Sequence, residues 1–213
     1  MFYKEIVCLA NSRRLQGRCV AGRDIKTNEW IRPVSSGETL TIDQIRLKDR
    51  SIPDLLDIIR IPCKERAPIF CQPENILIEA GTWEKLGRYD KKIENLCDHP
   101  KLLWWNDKPS QDRVDEEFLK KNKVDQSLFF IRPDSIIIRR HLRAEYGIKT
   151  RAVFSYNSVE YDFGVTDIDI EDEYKEKACG DYKLNTRQIY LCISLAGAFK
   201  GNCYKLVAGV VRV

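Results

Sequence analysis

Short runs of strand-forming residues, cut apart by turn signals, limit the folds open to this chain. FYKEIVCLA (2–10) is the first run, and Asn11-Ser12 after it reads as a turn. GRCVAGR (17–23) and EWIRPV (29–34) follow, joined by polar DIKTNE in the manner of a hairpin. Thr41-Ile-Asp-Gln44 has the spacing of a capping box and predicts a short helix. DLLDIIRIP (54–62) reads as a strand that Pro62 ends, and ILIE (76–79) as one more.

From residue 82 to 126 the texture changes. TWEKLGRYDKKIENLCD sets Trp83, Leu86, Ile93 and Leu96 at helical spacing, and DRVDEEFLKK predicts a further short helix. Ten basic and ten acidic residues balance across 82–126, which marks a charged connector. Strand texture returns with SLFFI, SIIIRRHL, KTRAVFSY, VEYDFGVT, IYLCISLA and CYKLVAGVVRV, while DIEDEYKEKA predicts a helix between two of them. The sum is about five strands on each side of the connector. That count fits a mainly β chain of two small OB-like five-stranded barrels joined by a short helical connector. Their bounds are 1–81 for the first barrel, 82–126 for the connector or insertion and 127–213 for the second barrel. Sandwiches of the same strand number match the pattern as well.

WIRPVSS (30–36) and FIRPDSI (130–136) nearly repeat one another. The likeness stops at the motif, because GRCVAGRDIKTNE upstream of the first has no counterpart upstream of the second. Strand-ending chemistry explains it without duplication. Proline forces its predecessor into extended geometry, removes a ladder donor and hands over to a turn-forming serine.

Eight cysteines are present, no two closer than eight residues, and only two histidines, His99 and His141, accompany them. No Cys-x-x-Cys and no Cys/His cluster occurs, so no metal or other cofactor is expected. Cysteines inside IVCLA, RCVAG, YLCIS and NCYKLV read as reduced, buried thiols. No apolar run reaches the roughly 18 residues of a membrane span, and MFYKEIVCLA carries a glutamate where a signal peptide is apolar. A cytoplasmic chain without membrane contact is the expectation. No G-x-S-x-G, no P-loop glycine run, no H-E-x-x-H and no H-x-E with paired cysteines occurs, which points away from catalysis.

Charge is patterned more than its net of +4 implies. Asn11, Ser12, Arg13 and Arg14, read as the loop after the first strand, lead into Gly17-Arg18, and Trp30, Arg32 and Ser35 lie close by in sequence. Guanidinium and hydroxyl groups at such a place grip phosphate, and an exposed tryptophan stacks a base; Trp30 in the core is the alternative. A second basic ladder runs through Arg139, Arg140, His141 and Arg143, facing Lys149 and Arg151 on the expected partner strand. Either an anionic ligand or the acidic stretch 160–181, with nine acids to two lysines, must offset it. Adjacent Trp104 and Trp105 cannot share one face, so one packs while the other serves a connector or a partner contact.

KEIVCLANSRRLQGRCVAG followed by WIRPVS, together with RAVFSYNSVEYDFGVTD and YLCISLAGAFKGNCYKLVAGVV, resembles the prokaryotic dual-OB (DuOB) domain family over nearly the whole chain. The matching positions are Ser12, Arg13, Gly17, Arg18, Cys19, Gly22, Trp30, Arg32, Ser35, Thr166, Asp167, Tyr204 and Lys205. Asn157-Ser158 stands where a glycine turn is expected, and asparagine tolerates the left-handed geometry needed. The resemblance implies a nucleic-acid-binding accessory protein of bacterial conflict or antiviral defence, with no catalytic set to carry over. Two other readings remain: a protein-interaction subunit of a larger complex, and a pocket between the barrels for a nucleotide-like small molecule.

Overall fold

A computed structural model describes the chain apart from residues 37–38, 105–110, 144–146, 185 and 187, and apart from the side chain of Arg143. The first sheet comprises β1 (Phe2–Arg14), β2 (Gly17–Asp24), β3 (Trp30–Val34), β4 (Asp57–Arg66), β5 (Asn75–Ile78) and β6 (Glu84–Arg88). Five of these close into the circuit β1-β2-β3-β5-β4-β1, with β3 and β5 parallel, and β6 adds to β4. One long strand serves two neighbours because β1 pairs with β4 over Phe2–Val7 and with β2 as far as Arg14. A bulge between Cys8 and Ala10 supplies the bend. Helix α1 (Ile42–Ile45) lies between β3 and β4, and its capping box is complete: Thr41 Oγ1 accepts from Gln44 N–H, and Gln44 Oε1 accepts from Thr41 N–H at 2.8 Å. A five-strand circuit with a parallel third-to-fifth pair and a helix after the third strand is the OB barrel.

Next come β7 (Arg113–Asp115), α2 (Glu116–Lys121), β8 (Leu128–Ile131), β9 (Ser135–Arg143), β10 (Gly147–Tyr156), β11 (Val159–Val165), α3 (Ile168–Tyr174), β12 (Gly180–Lys183), β13 (Ile189–Phe199) and β14 (Asn202–Arg212). The second sheet runs β12-β9-β10-β11-β14-β13-β8, with β7 beside β14. Its two path ends on the barrel are one stretch of chain, since β8 leads into β9 through Arg132-Pro133-Asp134. β8 pairs with β13 and β9 with β10, so together they do what β1 does alone. β11 and β14 are parallel, as β3 and β5 are, and α3 follows β11 as α1 follows β3. The two halves therefore share a topology. The Ile-Arg-Pro echo does not follow it: Arg32-Pro33 lies in the third strand of one barrel, and Arg132-Pro133 breaks the first strand of the other.

Alternation along the strands divides their side chains between barrel interior and interface. Ile6, Cys8, Val20, Ile31, Ile59, Ile61 and Trp83 fill the first barrel. Ile138, Ala152, Phe154, Tyr161, Phe163, Ile193 and Val207 fill the second. A third apolar cluster joins the outer face of β1, β2 and β3 (Val7, Leu9, Ala21, Trp30) to that of β8, β13 and β14 (Leu128, Phe130, Tyr190, Cys192, Ala208, Val211). Backbones meet there as well: a Cβ on Gly209 would stand 2.2 Å from the Leu9 carbonyl oxygen.

Several local readings change. Asn11–Arg14 is the end of β1 and not a loop, because Arg13 pairs with Arg18 and Ser12 forms a bridge with Asp167 of the other barrel. The turn falls at Leu15-Gln16, where Leu15 takes φ 50°. Glu84–Arg88 is a strand despite its helical spacing, since pairing with β4 competes successfully with local propensity. β4 continues through Pro62, whose carbonyl accepts from Glu79 N–H at 2.9 Å. Helix α2 falls within its predicted segment, and α3 overlaps its own, starting one residue earlier at Ile168. The Asn157-Ser158 turn forms with φ 51° and 63°.

Candidate nucleic-acid interface

The arginines expected to share a groove in the first barrel separate. β3 turns Ile31 inward, so Trp30 and Arg32 face the second barrel. Trp30 is 6% exposed, donates its indole N–H to Asp98 at 3.2 Å and packs under the Arg23 guanidinium. It has no face open to a base. Arg32 is 1% exposed. Its guanidinium donates to Glu74 Oε1 at 3.2 Å, to Ser127 Oγ at 2.8 Å and to Ser194 Oγ at 3.2 Å. It pins the two barrels together and cannot meet a phosphate while they are joined. Gln72 in the loop before β5 adds a bond to the Leu195 carbonyl at 3.0 Å. In an OB barrel the outer face of the second and third strands, with the loops joining strands 1–2 and 4–5, carries the ligand. In the first barrel, docking covers that face.

The same face of the second barrel stays open. Its second and third strands are β10 and β11, and its strand 4–5 turn is Lys200-Gly201 between β13 and β14. There a cleft of about 900 Å³ is lined by residues of β7, β9, β10, β11, α3 and the β13–β14 hairpin, and by Arg13 from β1. Eight cationic side chains line it (Arg13, Arg113, Arg140, Lys149, Arg151, Lys175, Lys200 and Lys205) against Asp112, Glu171 and Asp172, so its field favours an anion. Phe199, 60% exposed, and Tyr204, with Arg113 over its ring at 5.1 Å, supply aromatic faces at the same place.

Four expected residues thus meet in the cleft: Arg13, Lys149, Arg151 and Lys205. Arg151 is nearly buried, held by Asp162 and by Asp112 at 3.0 Å. Lys205 is buried beneath the cleft with its ammonium 5.8 Å from the centre of the Phe163 ring, and burial lowers its pKa to about 8 against the pull of Asp112. Arg139 makes a two-pronged bond to Asp181 on β12, both contacts 2.8 Å. The acidic segment therefore does offset the basic ladder from within the protein. Arg140, on the opposite face of β9 from Arg139, borders the α3 end of the cleft and donates to the carbonyls of Tyr174 and Lys177. Arg143 lies at the end of β9, and its side chain falls outside the described residues.

The remaining expected residues stand elsewhere. Arg14 is exposed at the end of β1, and Ser35 Oγ donates to the Thr39 carbonyl at 3.4 Å. Ser12 is buried at the barrel junction. Arg18 borders a separate cavity of about 230 Å³ with Asn11, Pro53, Asp54 and Asp167. Ligand pockets span roughly 300–1,000 Å³, so this junction is small for a nucleotide. Asp167 seals it from the α3 side, accepting from Ile170 N–H and Val210 N–H, each at 2.9 Å. Burial raises its carboxyl to about 6.

Trp104 is packed, its indole N–H donating to the Gln126 carbonyl at 2.9 Å, and Trp105 lies outside the described residues. Among cysteines expected in apolar strands, Cys8, Cys192 and Cys203 are fully buried and Cys19 is half-buried. Among the described residues no helix is long and apolar enough to cross a membrane. Lys175, Lys200 and Arg113 went unnoticed in the sequence; the AFKGN turn signal at the β13–β14 tip would have found Lys200.

Two OB-type circuits docked outer face to outer face define a dual-barrel protein. The chain belongs to the dual OB-containing domain family (DuOB), whose sequence model matches residues 4–210. A search of curated protein sequences returns no match.

Proposed function

We propose that this protein binds single-stranded or structured nucleic acid in the cleft of its second barrel, and that it catalyses no reaction itself. The position of the cationic cleft carries this reading: it lies on the strand 2–3 face where OB barrels, commonly nucleic-acid binders, receive a strand. Lys149, Lys200 and Arg13 contact phosphates, and Phe199 and Tyr204 offer stacking surfaces. The family resemblance favours an accessory role in prokaryotic conflict or antiviral defence, in the cytoplasm.

The test is fluorescence anisotropy of a labelled single strand from about 50 to about 200 mM salt. Each phosphate contact lowers log K by about 0.7 per log unit of salt, so several contacts give a steep fall. Absence of binding at the low-salt end sinks the proposal.

A further inference from the structure

Two of the three carboxylates in the cleft, Glu171 and Asp172, belong to α3. Glu171 Oε2 lies 2.9 Å from Arg13 Nε, and Asp172 Oδ1 lies 3.7 Å from Arg13 Nη2 and 3.4 Å from Lys175 Nζ, a second cation of the cleft. Arg13 and Arg18 are cross-strand partners, so two guanidinium groups lie side by side opposite these acids. Burial and the neighbouring Arg13 lower the Arg18 pKa, while Asp172 and Glu171 push it back up. The Arg13 pair differs from the two arginine pairs of the cleft that share Asp112, whose side chain is 14% exposed and is held by Arg113 as well as Arg151. Arg151 is nearly buried with Asp112, whereas the Arg13 side chain is 48% exposed and its partners are open to solvent too. A solvent-open ion pair is weak and exchangeable, and a carboxylate oxygen on a guanidinium Nε stands where a phosphate oxygen would bind.

Building on the proposed strand binding, we infer that Glu171 and Asp172 are a built-in counter-anion for Arg13, holding a phosphate position that a ligand must take over, so that the cleft admits strands and rejects single nucleotides. A mononucleotide exchanges one anion for another and then meets two displaced carboxylates of like charge. It gains nothing. A strand reaches Lys149 and Lys200 with other phosphates at the same time, so displacement at Arg13 becomes one contact among several held at high effective concentration. The acids on α3 set the threshold between the two ligands.

The experiment compares wild type, Glu171→Gln with Asp172→Asn, the same pair in an Arg13→Ala background, and Glu173→Gln. Glu173 bonds Arg212 and Lys177 and does not line the cleft, so it reports a general change of charge. Probes are a labelled strand of about 12 nucleotides followed by anisotropy, and adenosine monophosphate followed by calorimetry. Melting temperatures establish that each variant folds, and Glu171→Gln alone replaces the double variant if α3 does not tolerate both changes.

The expected result is strand affinity about threefold to tenfold tighter in the double variant, with mononucleotide binding becoming measurable. The gain disappears in the Arg13→Ala background and is absent in Glu173→Gln. Unchanged or weaker strand binding by the folded double variant overturns the inference, as does an equal gain without Arg13. If no protein in the set binds a strand, the proposed function falls with it; if wild type and double variant bind alike, only this inference falls.

Discussion

Replacing Arg32 separates a structural role from a ligand-binding one. Its guanidinium is 1% exposed and bridges Glu74 of the first barrel to Ser127 and Ser194 of the second. In Arg32→Met the Glu74 carboxylate, itself 8% exposed, stays buried and keeps the hydroxyl and the N–H of Ser127 as partners. Breaking a buried pair from one side costs about 3–5 kcal/mol, because the charge left behind is desolvated without compensation. That is a large fraction of the roughly 5–15 kcal/mol that holds a typical domain folded. Adding Glu74→Leu removes the orphaned charge, and the double variant should recover to within about 2 kcal/mol of wild type. Urea denaturation followed by tryptophan fluorescence reads both, since Trp30 and Trp83 are buried in the native state. The reasoning fails if Arg32→Met lies within about 1 kcal/mol of wild type, or if the double variant is no more stable than the single one. A phosphate-gripping Arg32 would have the opposite profile: unchanged stability and weaker nucleic-acid binding.

Gly209→Ala forces a methyl to within 2.2 Å of the Leu9 carbonyl, and overpacking of this kind should cost about 1–3 kcal/mol in a urea melt; a neutral result would mean that β1 and β14 do not approach so closely. Asp167 is held at about 6 by burial, above its ordinary 3.8. Its neutral form therefore contributes stability that is complete below the unfolded pKa and is lost as pH rises through about 6. Asp167→Asn should remove that slope, on the order of 3 kcal/mol between pH 4 and 7 when compared with wild type, and parallel stability curves for the two proteins would refute it.

Local signals in the sequence carried much of this fold. Thr41 and Gln44 are three residues apart and cap α1 on their own, and the Asn157-Ser158 turn needs only its backbone freedom. The strand count led to two barrels because each hairpin is sequence-local. What escaped was decided at long range. Asn11–Arg14 reads as a loop until Asp167, in the other barrel, supplies a pairing partner. Trp83 and Leu86 have helical spacing, but Trp83 is buried in the first barrel and the chain after it completes the edge of β4. Arg32 resembles a phosphate ligand in one dimension; its partners lie 42, 95 and 162 residues away and enclose it. Lys149 and Arg151 were visible because they sit on one well-patterned strand. Their meeting with Arg13 across the barrel junction was not.

The central claim is that docking hides the ligand face of the first barrel and leaves the second barrel's cleft as the binding surface. Charge reversal measures it most directly: strand binding by Lys149→Glu with Lys200→Glu in the cleft, against Lys48→Glu with Lys64→Glu on the exposed first barrel. Anisotropy across salt should show at least a roughly tenfold loss and a salt slope shallower by about 1.4 for the cleft pair, and little change for the other. Equal losses in both pairs, or a greater loss in the first-barrel pair, would contradict the account.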